Sequence, residues 1–507
     1  MRSYDMDQRG RYPKYEYLYR CLRDDIRSGA IAADARLPSK RDMAREMGVS
    51  VSTVEHALDL LVSEGYLQPR PGSGYYVLPV RTGSAPSVDA PRAPDGTPPA
   101  FDAKANRMGV QLFPATTWIR CMRRVLSAQD PELFETVPLP GLYQLRCAIA
   151  DHLFETRGMV VDPAHVVVGA GTEFLYGRLI RMLGDRPHIA TADLYTRNLV
   201  QLARASGAIW SFVHTDSHGM RTDEVEGTGA SVVHVSPANL FPVGAVLPQS
   251  RREELLSWVH AKPRRLIVED DYDSELRYTG RSAPTLFAQD TMDKVVYMNT
   301  FSKTLVPSVR ISYMVLPPEL AAIYQHQVGF YSCTVSSFEQ AALAEFMTRG
   351  HFRRHVRQLR RYYRAQRDAF VEAIAASRLS RIVEIRPLLV GTHMVLSVDT
   401  RKSDDEVMEA ARARHLQLDM LSSHVVRPTV DRAHYVILNI ASVERERIPG
   451  IVSLLEDVFG DDVARAEAAE ADSKRQLEQT DLTPRDRELA TARLRRAQVR
   501  QSVAARR

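Results

Sequence analysis

A single lysine, Lys303, lies in a polar segment directly after a short apolar run at residues 295–298. That run predicts a buried strand. The residues around the lysine include Thr300 and Ser302, and Arg310 follows seven positions after it. In open α/β sheets, ligands bind beyond the carboxyl ends of the strands. A lone amine there can form an imine with an aldehyde, and neighbouring hydroxyls with an arginine can hold a phosphate.

A second polar cluster follows the apolar run at residues 266–268 and contains Asp270 and Tyr272. Acids after a strand can bind magnesium in nucleotide hydrolases, but the phosphate-binding sequence Gly-x-x-x-x-Gly-Lys-Ser/Thr is absent from the chain. A carboxylate at this edge can instead keep a ring nitrogen protonated. That interaction is stronger in a dry pocket than in water.

A third motif is a turn of small residues, Ala170 and Gly171, between a strand at 166–168 and a helix. Backbone amides at the N-terminus of a helix bind phosphate, and small residues allow it to approach closely. Further apolar runs at 188–190 and 232–235 alternate with helical segments. This alternation predicts an α/β fold with a mostly parallel sheet.

The segment from Ser302 to Arg310, Ser-Lys-Thr-Leu-Val-Pro-Ser-Val-Arg, resembles the lysine segment of fold-type I aminotransferases, which use pyridoxal 5′-phosphate (PLP). The resemblance implies that Lys303 binds the PLP aldehyde, that Asp270 contacts the pyridine nitrogen and that Tyr272 contacts the phenolic oxygen. The residues implied to surround the phosphate are Arg310, Thr300, Ser302, Ala170 and Gly171, with Thr172 beside them.

The same resemblance assigns two further positions. Tyr195, in the segment Asp-Leu-Tyr-Thr-Arg, corresponds to the residue whose ring stacks on the pyridine. Asn239, in Ser-Pro-Ala-Asn-Leu-Phe-Pro-Val-Gly, lies in the segment that passes beside the cofactor and is a predicted cofactor-binding residue. The implied fold class is a fold-type I α/β domain. No catalytic residue and no metal ligand is assigned.

The N-terminal region has a different pattern, with three amphipathic helical segments and a short hairpin. Apolar residues recur at helical spacing over residues 15–26. Ser39 and Ser50 are favourable N-cap residues for the second and third helices. Two strands are predicted at 66–67 and 75–77, around a glycine-rich tip. This order of elements is that of a winged helix-turn-helix.

The motifs Leu-Pro-Ser-Lys-Arg from Leu37 and Gly-Ser-Gly-Tyr-Tyr-Val from Gly72 closely resemble the GntR family of bacterial regulators, which bind duplex DNA. In such a module the third helix enters the major groove, and the second helix begins near phosphates. Members of this family often have an arginine at the position that Val51 occupies here, and another near the position of Glu55. A glutamate there repels phosphate unless it accepts a hydrogen bond from a cytosine amine. The predicted DNA-binding residues are Lys40, Arg41, Ser50, Ser52, Thr53, His56, Arg70 and Ser73.

The chain has 507 residues, enough for two or three domains. The predicted organisation is a winged helix-turn-helix at 1–78, a proline-rich linker at 79–100, an aminotransferase-like domain at 101–460 and a charged helical or disordered extension at 461–507. The net charge of +5 confines any nucleic-acid surface to a local patch. Widely spaced cysteines, with no secretory leader and no apolar run long enough to span a membrane, favour the cytoplasm.

A GntR-like winged helix followed by an aminotransferase-like domain resembles the MocR/GabR regulators. The resemblance implies a PLP-dependent transcription regulator that forms a head-to-tail homodimer on a two-half-site operator. One alternative is an active PLP-dependent aminotransferase with an accessory DNA-binding domain. Ile437 argues against it, because aminotransferases carry a carboxylate-binding arginine at that position. A DNA binder that has lost PLP is disfavoured, because the lysine, aspartate, tyrosine and arginine of the cofactor motifs are all present.

The prediction of an effector site depends on a cationic residue that the cofactor motifs do not use. Arg197, two residues after Tyr195, is the predicted effector-binding residue. Two effectors fit: PLP itself, or an amine or amino acid whose acidic group is held by Arg197. PLP is favoured because it needs no carboxylate-binding arginine. The expected targets are genes of vitamin B6 or of amino-acid and amine metabolism.

Overall fold

The computed structural model describes residues 4–79, 101–103, 109–194, 199, 201–202, 205–278, 280, 283–386, 388, 390–426, 434–441, 443–478 and 491. The chain divides into two compact units, Met1–Thr97 and Pro98–Arg507. The predicted linker, except for Pro79, lies outside the described residues, as do Tyr195 and Arg197.

The N-terminal unit contains three helices, α1 (Lys14–Arg27), α2 (Lys40–Met47) and α3 (Val51–Ser63). Ser39 caps α2 by accepting a hydrogen bond from the Asp42 amide, and Ser50 caps α3 by accepting one from the Thr53 amide. The caps set where each helix begins, because they satisfy amides that have no partner within the helix. Helical spacing then brings the apolar side chains into one core, which includes Leu18, Leu22, Ile26, Met43, Val54, Leu58 and Leu61.

A hairpin completes this unit, with antiparallel strands β1 (Leu67–Arg70) and β2 (Gly74–Val77). The strands extend further than the sequence indicated, so the turn is shorter than the predicted glycine-rich tip. Pro69 pairs with Tyr75 inside the ladder. A proline is tolerated there because an edge strand leaves its nitrogen side unpaired.

The large unit contains the remaining helices and two principal sheets. Its helices are α4 (Ala115–Ser127), α5 (Tyr143–Arg157), α6 (Thr172–Met182), α7 (Gln249–His260), α8 (Leu286–Gln289), α9 (Pro318–Val328), α10 (Ser337–Thr348), α11 (His351–Ala376), α12 (Asp404–Arg412), α13 (Ile448–Val458) and α14 (Gly460–Glu478). Its strands are β3 (Phe101–Asp102), β4 (Val166–Gly169), β5 (His188–Ala192), β6 (Ile209–Val213), β7 (Thr215–Asp216), β8 (Gly219–Met220), β9 (Val232–Val235), β10 (Leu266–Asp270), β11 (Val295–Thr300), β12 (Ser312–Val315), β13 (Val383–Arg386), β14 (His393–Val398), β15 (Leu416–Gln417), β16 (Asp419–Met420) and β17 (Tyr435–Asn439).

The central sheet has seven strands in the order β4-β12-β11-β10-β9-β5-β6. Its strands are parallel except β12, which runs antiparallel to both β4 and β11. Its middle strands are short apolar runs that are buried almost throughout, as expected for a sheet covered on both faces. The predicted fold class, a winged helix-turn-helix plus an α/β domain with a mostly parallel sheet, is confirmed.

This topology determines where the functional residues meet. The carboxyl ends of β4, β9, β10 and β11 lie at one edge of the sheet because these strands run in the same direction. The antiparallel strand β12 begins at that edge, since Ser312 pairs with both Thr300 and Gly169. Segments that are far apart in sequence are thereby brought together.

A second, antiparallel sheet has the order β13-β14-β17-β16. One face of it packs against α11 and α13 in a core that includes Phe370, Ile374, Ile451 and Leu455. Helix α14 begins at the boundary predicted for the C-terminal extension, and its Val463 joins this core. Within the described ranges, no helix combines the length and the apolar character that crossing a membrane requires.

Candidate functional site

A cavity of about 340 Å³ lies at the carboxyl edge of the central sheet. Of the residues predicted from sequence, it is lined by Asp270, Tyr272, Thr300, Ser302, Lys303 and Arg310. Gly171 lies against Arg310, and Asn239 lies against Tyr272. The topology thus brings the predicted cofactor residues that are described to one place, although they come from four strand ends.

Lys303, the third residue after β11, is only partly exposed. Burial lowers the pKa of its ammonium group, and the carboxylate of Asp273 acts in the opposite direction. Burial raises the pKa of Asp273 to about 8. A lysine whose pKa is lowered is deprotonated more readily near neutral pH, which makes its amine a better nucleophile for an aldehyde.

Asp270 is the last residue of β10. Its Oδ1 is buried and has no hydrogen-bond partner in the described part of the chain, while its Oδ2 lies 3.7 Å from Nε2 of His234. The other nitrogen of that imidazole lies 3.3 Å from the Thr191 hydroxyl. Leaving a buried acceptor without a partner costs about 1–3 kcal/mol, and more for a charged group. The carboxylate is therefore suited to a cationic donor such as a protonated ring nitrogen.

Tyr272 is held by a neighbouring amide. The side-chain nitrogen of Asn239 donates to the Tyr272 hydroxyl at 3.1 Å and to Oδ2 of Asp273 at 2.7 Å. Because the hydroxyl accepts from Asn239, its own proton is available for an acceptor in the cavity. Asn239, predicted as a cofactor contact, is placed here as the residue that positions Tyr272 and Asp273.

Arg310 has a backbone φ of 52°, in the left-handed region that only a minority of non-glycine residues adopt. Its Nη2 lies 3.4 Å from Oε2 of Glu173, at the start of α6. Gly171 has a φ of 100°, which favours glycine, and a Cβ atom there would lie 2.2 Å from that same Nη2, so a larger residue would push the guanidinium away from the turn.

Two hydroxyl groups lie at the same end of the cavity. Thr300 donates to the Ser302 hydroxyl at 3.0 Å and accepts from Ser312 at 2.8 Å. The amide of Ala170 is already occupied, because it donates to the Thr334 hydroxyl at 3.2 Å. An arginine, two hydroxyls and a glycine turn at a helix N-terminus form a set of groups suited to a phosphate.

The residue predicted to exclude α-carboxylate binding is buried in the second sheet. Ile437 of β17 pairs with Val395 on one side and with Asp419 on the other. Oδ2 of Asp419 lies 2.8 Å from Nε2 of His424, and the His424 ring packs edge-on against Phe241, which lines the cavity. The predicted position of the carboxylate-binding arginine is therefore held by an isoleucine that is buried in the second sheet beside Asp419.

Three contributors were missed from the sequence: His234, Thr191 and Asp273. His234 interrupts an otherwise apolar strand, and a polar residue in such a run could have indicated a role at the strand end. Asp273 continues the acidic run after β10 and could have been included with it. Thr191, which lines the cavity and contacts the histidine, had no sequence signal.

A buried ion pair lies beneath the cavity. Arg157 of α5 contacts Oδ2 of Asp271 at 2.5 Å, and the Tyr297 hydroxyl donates to the same oxygen at 2.8 Å. The amide of Asn299 connects Tyr297 to Glu275, with distances of 3.0 Å to each. This network joins α5 to the ends of β10 and β11, and so fixes the segments that carry Asp270 and Lys303.

The candidate nucleic-acid surface lies on the N-terminal unit. Arg41 on α2, and Ser52 and His56 on α3, are exposed. The His56 ring packs 4.7 Å from the ring of Tyr15. Lys40 instead contacts Oε1 of Glu55 at 2.5 Å. The first turns of α2 and α3 thus present polar side chains together, with Lys40 already paired.

The remaining predicted DNA contacts are also placed. The hydroxyl of Ser50 caps α3 and lies 2.8 Å from that of Thr53. In the hairpin, the Arg70 guanidinium lies 4.1 Å from the ring of Tyr76, whose hydroxyl is 2.7 Å from that of Ser73. These contacts hold the hairpin side chains in place, which reduces the entropy lost on binding.

Comparison with known proteins agrees with both units. Residues 101–446 match the family model described as aminotransferase class I and II, and residues 14–77 match bacterial regulatory proteins of the gntR family. The chain is 33% identical over 442 residues to the "probable rhizopine catabolism regulatory protein MocR" of Rhizobium meliloti, covering 82% of this chain and 88% of that protein. It is 29% identical over 407 residues to the HTH-type pyridoxine biosynthesis transcriptional regulator PdxR of Corynebacterium glutamicum. That match covers 80% of this chain and 87% of that protein.

The crystal structure of a multiple substrate aminotransferase from Thermococcus profundus has the same fold as the large unit. It superposes with a TM-score of 0.64 at 22% identity, over 73% of this chain and 93% of that one. The fold and the two sites define a helix-turn-helix transcriptional regulator with a PLP-binding, aminotransferase-like domain. The chain belongs to the MocR-type regulators, which join a GntR-family winged helix to an aminotransferase class I and II domain.

The buried ion pair beneath the cavity gives a first prediction. The substitution Asp271→Asn removes the charge that compensates Arg157 and is expected to destabilise the large unit by about 3–5 kcal/mol. Thermal unfolding of the full chain measures this loss. The control is Glu155→Gln, which breaks the exposed pair of Glu155 with Arg353 and should change stability by about 1 kcal/mol or less. Equal effects of the two substitutions would contradict the structural role of Asp271.

Proposed function

We propose that this regulator binds an operator through its N-terminal unit and that PLP, bound at Lys303 in the large unit, controls the affinity for that operator. The observation that carries the proposal is the convergence of Lys303, Asp270 and Arg310 on one cavity. The three groups have different chemistry, an amine, a carboxylate and a guanidinium. PLP has a matching aldehyde, ring nitrogen and phosphate.

When bound, PLP supplies an electrophilic aldehyde carbon and an electron-accepting ring. Lys303 would hold the cofactor through its side-chain nitrogen, since this residue lines the cavity. Asp270 keeps a proton on the ring nitrogen, for which its buried Oδ1 is available. Tyr272 would donate a hydrogen bond to the phenolic oxygen, because its hydroxyl already accepts one from Asn239 and keeps its own proton for another acceptor.

We infer that the phosphate is neutralised by Arg310 together with the hydroxyls of Thr300 and Ser302. Glu173 lies 3.4 Å from the guanidinium and would compete with an anion for it. That competition would weaken the binding of the phosphate to Arg310. Weaker binding suits a sensor, because its ligand must be able to dissociate. In the proposed arrangement Tyr195 covers the ring, as its position in the sequence predicts.

The large unit acts as a sensor rather than as an aminotransferase in this proposal. Of the described residues that line the cavity, the cationic ones are Lys303 and Arg310, and both are used by the cofactor. Ile437 and Asp419 offer no charge that could pair with an α-carboxylate. An active aminotransferase is the second candidate, favoured by the intact set of cofactor residues.

PLP itself is the proposed effector, with genes of vitamin B6 supply as the proposed targets. The name of the relative PdxR refers to pyridoxine biosynthesis, which supports this choice. An amine or amino acid held by Arg197 is the other effector considered. We also propose a head-to-tail homodimer, since two copies of the winged helix would match an operator with two half-sites.

Covalent attachment at Lys303 is the second prediction. Full-length protein mixed with PLP should absorb visible light, and borohydride should fix the cofactor mass on the peptide that contains Lys303. The variant Lys303→Ala should lose both signals. The control Lys294→Ala removes an amine nine residues away, which contacts the carbonyl of Pro263, and should retain both. A colourless wild type, or a cofactor fixed on another lysine, would reject the assignment.

The third prediction concerns the effector. Common L-amino acids should neither change the visible spectrum of the PLP-loaded protein nor yield keto acids, because the described cavity lacks a carboxylate-binding cation. PLP alone, with no amino acid added, should change the affinity of the protein for its operator. If one amine or amino acid changed both spectrum and affinity while PLP alone had no effect, PLP sensing would be wrong. Loss of that response in Arg197→Ala would then identify the effector-binding residue.

A further inference from the structure

The residue that departs most from the predicted DNA-binding pattern is paired within the N-terminal unit. Glu55 lies on α3, and its Oε1 is 2.5 Å from Nζ of Lys40, the first residue of α2. The same ammonium lies 5.5 Å from the centre of the Tyr75 ring in the hairpin. The hydrogen bond to Glu55 and then the contact with Tyr75 raise the pKa of Lys40. Lys40 therefore joins three elements of the winged helix-turn-helix.

Glu55 is on the outward side of α3. Val54 and Leu58 are buried, whereas Ser52, Glu55 and His56 are exposed. Residues three and four positions apart lie on the same side of a helix. In a helix-turn-helix the N-terminal part of the second helix contacts base edges in the major groove. Glu55 is therefore placed to face bases rather than the protein core.

The pairing with Lys40 offsets the negative charge that Glu55 would otherwise bring to this surface. An unpaired carboxylate would be repelled by phosphates on both sides of the groove. Lys40 compensates its charge, while Oε2 of Glu55 has no hydrogen-bond partner among the described residues. A fixed, compensated carboxylate with one available oxygen can accept a hydrogen bond. The amino group of cytosine is the donor that glutamate recognises in the major groove.

We propose that Glu55 recognises a cytosine in each operator half-site and that Lys40 positions Glu55 instead of contacting a phosphate. This inference rests on the proposed DNA-binding function. It changes the expectation for Lys40, which the sequence assigned to DNA contact along with Arg41. Arg41 retains the phosphate role, because it is exposed at the start of α2. Lys40 and Glu55 should therefore behave as a unit that affects base preference.

The experiment selects binding sites from a library of random duplexes with the full-length protein and measures affinities by fluorescence anisotropy. The wild type should select a cytosine at one position of each half-site, and replacing that C·G pair with T·A should weaken binding roughly tenfold. Glu55→Gln and Lys40→Ala should both relax preference at that same position. The control Asp59→Asn removes an exposed carboxylate one turn further along α3 and should leave base preference unchanged.

The salt dependence of binding separates the two roles of Lys40. A phosphate contact contributes about 0.9 to the slope of log affinity against log salt concentration. Arg41→Ala should reduce the slope by about that amount, while Lys40→Ala should leave it unchanged. The proposal is overturned if Lys40→Ala lowers the slope like Arg41→Ala, or if Glu55→Gln raises affinity for all sequences equally. If the wild type selects no sequence at all, the DNA-binding function itself is wrong.

Discussion

Compensation of buried negative charge is the constraint on which the large unit depends. Four carboxyl groups, those of Glu269, Asp270, Asp271 and Asp273, occur in five consecutive residues at the edge of the central sheet. Glu269 accepts hydrogen bonds from two backbone amides of α8, Asp271 pairs with an arginine of α5, and Asp273 accepts from the amide of Asn239. Asp270 and Asp271 each keep one buried oxygen without a hydrogen-bond partner among the described residues, but of the four carboxyl groups only that of Asp270 lines the cavity. The fold thus provides partners for the carboxyl groups of Glu269, Asp271 and Asp273, and leaves Asp270 beside the cavity, where a ligand can supply one.

This arrangement explains why a sensor can keep the binding residues of an enzyme. In the proposed function the cofactor is held by residues at the edge of the central sheet, whereas the arginine expected for a substrate carboxylate would lie on β17. Ile437 stands at that position and pairs with Asp419, so the proposed function keeps cofactor binding without amino-acid turnover. For regulation, PLP must bind one arrangement of the two units more tightly than the other. A tenfold preference corresponds to about 1.4 kcal/mol, and the coupling acts equally on DNA and PLP affinity.

Much of the fold followed from local sequence patterns. The helices of the N-terminal unit begin after Ser39 and Ser50, because cap residues and apolar spacing are local signals. The strands of the central sheet were found from short apolar runs, although their ends were underestimated where polar residues such as Asp270 continue the strand. The cofactor residues were found because their motifs are contiguous, and their meeting in one cavity followed from the parallel order of the strands.

Contacts between distant segments could not be predicted. Nothing near Asn239 in the sequence indicates that its amide holds Tyr272 and Asp273, because those residues come from the next strand of the sheet. The pairing of Lys40 with Glu55 joins two helices, and each residue alone indicated a different role. Such contacts depend on packing geometry, which composition and periodicity do not encode.

In the proposed mechanism, PLP at Lys303 controls the affinity of the N-terminal unit for DNA. The most direct measurement compares the operator affinity of full-length protein freed of PLP with that of the same protein reloaded with PLP, for the wild type and for Lys303→Ala. PLP should change the affinity of the wild type by about tenfold, corresponding to about 1.4 kcal/mol of coupling, and should leave the affinity of Lys303→Ala unchanged. Equal wild-type affinities with and without PLP, measured while absorbance shows that the cofactor is bound, would contradict it.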